Sequence, residues 1–283
     1  MRVFDCVTFF NEIDLLQLRL KLLNDVVDYT VVVESNLTFS GKPKPYYFEE
    51  NRQMFLQWSE KIIYIPIEQS TEGLTFKDVK TYSPDNGPFQ LEYQQRNAMS
   101  YINEIINDDD LCMISDLDEM PNPLYVDIAR GVKIKQPYSF VQLFHYYFMN
   151  CQNTGFDRWW KGTVMCPGKY FKDNTPQYIR DHRNDYPPVR SNGIISTQND
   201  NLMGWHFSFL GGIEKIRNKI QSFAHTEFNR PDITSEHNIT EAMEKGKDVF
   251  NRPGVSYKFH PVSDYPEYLQ KLMLEYPQFV KSI

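Results

Sequence analysis

Leu111-Cys112-Met113-Ile114-Ser115-Asp116-Leu117-Asp118-Glu119-Met120-Pro121 is the stretch on which the fold turns. Residues suited to a buried strand run directly into three carboxylates, and a proline then stops the strand. A continuous apolar run marks a strand covered on both faces, as in a parallel sheet, and open α/β sheets bind ligands just beyond the carboxyl ends of such strands. Acids crowded at that point repel one another unless positive charge lies among them. A hard divalent cation with oxygen ligands, Mg²⁺ or Mn²⁺, is the simplest candidate, and bound this way it usually also holds a substrate phosphate. An acidic turn that only caps the next helix has the same sequence, so the neighbouring elements have to decide.

Upstream, Val3 to Phe10 is a strand ending at Asn11-Glu12, and Ile13 to Leu23 is an amphipathic helix with Arg19 and Lys21 near its carboxyl end, where cations complement the dipole. Tyr29 to Ser35 is a second strand with an apolar centre, stopped by Glu34. Strand, helix and strand in this order make a βαβ unit with a right-handed parallel crossover. Thr38 to Pro45 is loop, Glu49 to Trp58 is expected to be helical, and Lys61 to Pro66 is a third strand. From Glu68 to Pro88 the chain is polar and broken by Gly73, Pro84, Gly87 and Pro88, the composition of a functional or mobile loop. Phe89 to Asn107 reads as a helix, and Asp108-Asp109-Asp110 turns it into the acidic strand. Further on, Phe140 to Phe148 and Trp159 to Met165 are strands, organisation returns at Gly204 to Ser208, a helix runs from Gly212 to about Ala224, and Pro266 opens a last helix to Glu275. No linker divides residues 1–283, so the chain is expected to be one α/β domain with a Rossmann-type, mostly parallel sheet flanked by helices.

Bulk properties narrow the classes. A 41% hydrophobic fraction with dispersed charge belongs to a folded globular protein rather than a disordered one. The net charge of −7, with no Lys/Arg cluster, argues against a nucleic-acid partner. Any bound phosphate is then held locally. No apolar run reaches membrane-spanning length, and the chain opens directly into a strand without a leader pattern, so the expectation is a cytoplasmic protein with no integral membrane segment. Cys6, Cys112, Cys151 and Cys166 show no ligand-like spacing and read as buried thiols.

Simple geometry gathers the acids into a cleft. Arg96 to Ile106 as helix rises about 15 Å, and Leu111 to Asp116 as strand rises about 16 Å. Packed antiparallel, the two bring Arg96 and Asn97 level with Asp116. Asn11-Glu12 and Glu34 end neighbouring strands at the same rim. Asn11, Glu12, Glu34, Arg96, Asn97, Asp116, Asp118 and Glu119 therefore gather as a candidate nucleotide-phosphate site, with the Arg96 fork suited to a diphosphate.

Particular segments also match a known pattern. Phe9-Phe10-Asn11-Glu12, Val32-Val33-Glu34-Ser35-Asn36, Thr38-Phe39-Ser40-Gly41-Lys42-Pro43, Gln95-Arg96-Asn97-Ala98, Ile114 to Pro121, Gly204-Trp205-His206-Phe207-Ser208 and Lys219 to Phe228 together resemble glycosyltransferase family 17. That group includes the enzymes that add the bisecting N-acetylglucosamine to N-glycans. The resemblance implies a GT-A-like fold, with 1–121 as the nucleotide-sugar half and 122–283 as the acceptor side. It also implies a nucleotide-sugar donor, by default UDP-N-acetylglucosamine, a glycan acceptor, and Mn²⁺ or Mg²⁺. Within it Asp118 is the expected metal ligand, Asp116 faces the ribose or shares the metal, and His206 is either a further ligand or a packed histidine. Trp205 stacks on the donor or fills core. An inverting transfer needs a carboxylate base, and Glu227, Asp181 and Asp157 in the later half are the candidates. A metal-dependent phosphohydrolase or nucleotidyltransferase using the same acids, or a non-catalytic sugar-binding module, are the rival readings.

Overall fold

A computed structural model describes residues 1–155, 157–188 and 203–283. The first half comprises β1 (Val3–Phe9), α1 (Ile13–Leu23), β2 (Tyr29–Ser35), α2 (Tyr47–Glu50), β3 (Ile62–Ile67), α3 (Gly87–Asn97), β4 (Leu111–Asp116) and β5 (Glu119–Pro121). The second comprises α4 (Pro123–Gly131), β6 (Tyr138–Tyr146), β7 (Cys151–Asn153), β8 (Trp159–Pro167), α5 (Gly168–Asp173), α6 (Pro176–Asp181), β9 (Gly204–Ser208), α7 (Gly212–Ser222), α8 (Pro231–Thr234), α9 (Glu236–Lys245), β10 (Tyr257–Phe259) and α10 (Glu267–Glu275).

One sheet runs through both halves in the order β10-β7-β6-β8-β4-β1-β2-β3, with β9 branching from β6 to pair with β5. The parallel part is β4-β1-β2-β3, while β8 joins β4, and β6 joins β8, antiparallel. The chain leaves β1 toward β2 and β3 and then returns to β4 on the other flank. That reversal is the place where α/β sheets open a binding crevice. Register brings the strand ends level, with Glu34 opposite Phe9 and Asp116 opposite Thr8.

Side-chain alternation sorts the core into two faces. Val3, Val7 and Phe9 of β1 and Leu111 and Met113 of β4 pack with the leucines of α1. Phe4, Cys6, Cys112 and Ile114 pack instead with Met99, Ile102 and Phe171. Asp5 and Ser115 fall on the α1 face and Asp116 on the other, which separates the two charge networks described below. A third cluster around Phe144, Ile216, Ile220, Val249 and Tyr257 consolidates the second half.

Two helices are shorter than their sequence suggests. The segment expected as Phe89 to Asn107 is α-helical only to Asn97 and then tightens into a 3₁₀ turn over Ala98–Ile102, where the Ser100 hydroxyl donates to the Asn97 carbonyl at 2.7 Å. Similarly, Arg52–Trp58 is a 3₁₀ helix rather than the continuation of α2. Pro266 precedes α10 rather than opening it. All four cysteines are buried and unpaired. Among the described residues, no helix is long and apolar enough to cross a membrane.

Candidate active site

A cavity of about 580 Å³ lies beyond the carboxyl ends of β1 and β4. Its charged lining includes Glu12, Arg96, Asp116, Asp118, His206 and Lys219, and its aromatic lining includes Tyr82, Tyr146, Trp160, Phe223, Phe228 and Phe250.

The acids are not bare. Asp116 Oδ1 accepts from Arg96 Nη2 at 2.8 Å and its Oδ2 from Arg180 Nη2 at 2.9 Å. Burial pushes its carboxyl up, but Arg180 and Arg96 outweigh burial and hold it below the usual carboxylate range. Asp118 Oδ2 accepts from Lys219 Nζ at 2.7 Å, and His206 Nε2 stands 3.3 Å from Oδ1. Burial again pushes up, while Lys219 and His206 win and depress the group. Glu119 is fully buried behind them. Its Oε2 accepts the Asp116 amide at 2.9 Å, and its Oε1 accepts from Trp160 Nε1 and Arg180 Nη2, both at 2.5 Å. Glycine is required at position 162, because a Cβ there would stand 2.4 Å from the Glu119 carboxyl carbon.

Arg19 fixes the turn from below. It is fully buried, and forks onto Asp5 at 2.6 and 2.7 Å. It also donates to Ser115 Oγ at 2.6 Å and to the carbonyls of Leu117 and Glu119 at 3.1 and 2.7 Å. One guanidinium therefore sets the backbone that presents Asp116 and Asp118.

A different group of the lining carries an accepting carboxylate. Glu227 Oε1 accepts from His225 Nδ1 at 2.8 Å, whereas its Oε2 is buried without a partner. Tyr82, from the long loop after β3, stands edge-on to Phe89 at 4.7 Å and lies 5.9 Å from His225. Asp181 also lines the cavity, where its Oδ1 accepts from Gln177 Nε2 at 2.8 Å, and Gln177 in turn accepts from Arg96 at 2.5 Å.

Several residues expected at the site lie elsewhere. Glu34 is buried in a structural network, accepting from Lys44 at 2.9 Å, from Tyr64 at 3.0 Å, and from the Tyr47 and Phe48 amides that open α2. Asn97 is turned away from the cavity by the helical rotation after Arg96, and its Oδ1 accepts the Gln177 amide at 2.9 Å. Trp205 precedes His206 on β9, so the side chain that faces the cavity is His206 and Trp205 packs behind it, beside Phe207 and Tyr268. Asn11 lies in the turn before α1, its carbonyl 3.4 Å from Lys215 Nζ. Asp157 is tied to Asn153 at 2.9 Å in the β7–β8 connection, away from the cavity. Among the candidate bases, only Glu227 and Asp181 therefore reach it.

The donor set limits how a metal would be held. Each Asp116 oxygen accepts from one arginine and keeps a second acceptor site, so Asp116 is neutralised without being closed to a shared cation. Asp118 and His206 stand together at 3.3 Å, and among the described residues no group of three or more metal-ligating side chains forms. His206 Nδ1 is buried without a partner. Mn²⁺ and Mg²⁺ are commonly bound by one or two protein groups plus substrate phosphates, so this pair fits as a site that phosphate oxygens complete.

Arg180, Lys219 and Arg19 carry the site's charge, and sequence reasoning did not single them out as site residues. Arg180 sits on the short α6, where apolar periodicity fades. Lys219 flanks the buried Ile216–Ile220 stripe of α7. Arg19 did leave a signal, since it lies four residues from both Leu15 and Leu23 on the buried stripe of α1, and Asp5 interrupts an apolar strand.

A parallel first half, a mixed, mainly antiparallel second half and paired acids at the switch point make a GT-A-like α/β fold. The profile of glycosyltransferase family 17 matches residues 1–265, and the chain belongs to that family. Over 128 residues it is 30% identical to the beta-1,4-mannosyl-glycoprotein 4-beta-N-acetylglucosaminyltransferases of Rattus norvegicus and Homo sapiens, a match covering 42% of this chain and 22% of each relative. The enzyme of that name from Mus musculus matches to the same extent. Among solved structures it is similar to the glycosyltransferase GlyE of Streptococcus pneumoniae TIGR4, at 12% identity and a TM-score of 0.26, covering 65% of this chain and 38% of that one. Likeness at that level adds nothing to the strand order.

Proposed function

We propose that this chain transfers a sugar, by default N-acetylglucosamine from a uridine-diphosphate donor, to a hydroxyl of a glycan acceptor with inversion at the anomeric carbon. The observation that carries this reading is that paired Asp116 and Asp118 line the same cavity as Glu227, whose Oε2 is buried and unpartnered. Arg96 and Arg180 fix Asp116 for the nucleotide, and Asp118 with His206 would hold Mn²⁺ or Mg²⁺. When bound, that ion neutralises charge on the departing diphosphate. Glu227 takes the acceptor hydroxyl proton as the acceptor oxygen bonds to the anomeric carbon. The bond from that carbon to the phosphate oxygen breaks, and the nucleoside diphosphate leaves with the electron pair. His225, donating to Glu227 Oε1, leaves Oε2 to receive the proton. The aromatic lining supplies apolar faces suited to sugar rings.

A paired measurement tests the assignment. Glu227→Gln should keep metal-dependent UDP binding near wild type and abolish transfer. Asp118→Asn should lose both, because it removes the carboxylate charge on which the cation depends. Wild-type transfer by Glu227→Gln would move the base to Asp181, which lines the same cavity. Hydrolysis of UDP-N-acetylglucosamine without transfer to any glycan offered would favour the phosphohydrolase reading.

A further inference from the structure

The two acids at the switch point are held differently. Asp116 is gripped by two guanidiniums whose own partners fix them, since Arg96 also bonds Glu92 at 2.7 Å and Gln177 at 2.5 Å, and Arg180 also bonds Glu119 at 2.5 Å. Asp118 is held by one ammonium on a flexible four-carbon stem and by an imidazole at 3.3 Å. The Lys219 side chain retains 27% of its exposure, and its Nζ rests 5.3 Å from the centroid of the Phe209 ring, a soft second contact. Ammonium is a compact point charge with no planar fork to lock it in place. Of the two carboxylates, Asp118 is the one whose counter-ion can exchange.

From this geometry we propose that Lys219 is a resident counter-ion that competes with the divalent cation for Asp118. The proposal rests on the metal assigned to Asp118 and His206 above. An ammonium 2.7 Å from Oδ2 and a divalent ion on the same carboxylate repel each other, so a metal-loaded site requires Lys219 to leave Asp118. The displaced ammonium remains anchored by α7 at the cavity wall, where a diphosphate is its natural new partner. Metal and nucleotide binding are then coupled through one side chain. Without metal, Asp118 is already neutralised and the cavity does not carry the bare negative charge its sequence suggests.

Mn²⁺ titration of the full chain without nucleotide, followed through the spectrum of free Mn²⁺ by electron paramagnetic resonance, tests the competition. Lys219→Gln removes the competitor and should bind Mn²⁺ roughly tenfold more tightly than wild type, the scale of a lost charge-assisted hydrogen bond. Lys219→Arg keeps a cation on Asp118 and should bind Mn²⁺ no more tightly than wild type. If Lys219→Gln binds Mn²⁺ equally or more weakly, or if no protein binds Mn²⁺, the proposal is overturned, and unfolding of the Gln variant would leave the Arg variant, which must not gain affinity, as the deciding comparison. Calorimetry with UDP separates this result from the donor reading. Mn²⁺ should raise UDP affinity less in Lys219→Gln than in wild type. Absence of UDP binding throughout counts against the donor assignment, while the Mn²⁺ titration still decides the competition.

Discussion

Replacing Arg19 by Met should destabilise the protein severely, and removing Asp5 as well should recover much of the loss. Both side chains are fully buried and bonded at 2.6 and 2.7 Å. Arg19→Met leaves the Asp5 charge without a cation, which costs about 3–5 kcal/mol. It also orphans the Leu117 carbonyl, at about 1 kcal/mol, whereas the Glu119 carbonyl keeps the Thr163 hydroxyl at 3.2 Å. The total, roughly 4–6 kcal/mol, is a large share of the 5–15 kcal/mol typical of a folded domain. In Asp5→Leu/Arg19→Met no unpaired charge remains, because apolar replacement of a whole buried pair is often close to neutral. Only the Leu117 carbonyl loss persists, so the double variant should be about 3–5 kcal/mol more stable than Arg19→Met. Urea unfolding followed by circular dichroism reads these differences in midpoint at constant slope. UDP binding should stay weak even in the rescued protein, because the Asp116–Glu119 turn has lost its anchor. An Arg19→Met variant within about 1 kcal/mol of wild type, or a double variant less stable than the single, would refute the reasoning.

Arg96→Lys keeps the charge but loses the fork that meets Asp116, Glu92 and Gln177 together, so the donor KM should rise about tenfold; full turnover at subsaturating donor would place Arg96 outside the donor site. Burial drives the His145 ring, bonded to Tyr265 and the Leu143 carbonyl, down to about 3, so it stays neutral in the fold while the unfolded chain takes up a proton below about 6.5. The unfolded state then binds more protons and stability falls as pH drops through that window, by about 2 kcal/mol between pH 7 and pH 5. His145→Gln should lose that much less over the same interval in urea unfolding, and equal losses would show that His145 is not the group responsible.

The parallel half was legible because it is built from local signals. The β1-α1-β2 unit has the bounds its apolar periodicity suggests, and the rise arithmetic puts Arg96 beside Asp116 although the helix tightens after Asn97. The error in helix type did not matter, since the tight turn still returns the chain antiparallel to β4. The strand reading was less able to sort faces. Trp205 and His206 are adjacent in sequence, but strand alternation lets only one of them see the cavity. Glu34 ends a strand at the right level and is nevertheless taken up by Lys44 and the first amides of α2. Level at the rim is a property of the backbone, whereas access to the cavity depends on what packs over each side chain.

The countercharges show why a motif alone misstates the electrostatics of its site. Asp116, Asp118 and Glu119 are contiguous and invite the inference of mutual repulsion relieved by a bound metal. Their partners Arg96, Arg180 and Lys219 come from three helices, separated from the acids by 20 to 101 positions, and only the strand order brings them together. The effect is selective rather than uniform. Asp116 and Glu119 are bound into a network of two buried guanidiniums, Arg96 and Arg180, whose further partners hold them in place. Asp118 is balanced by an ammonium on a flexible stem, so under the proposed assignment metal binding here would rest on how readily Lys219 yields and not on how many acids the motif contains.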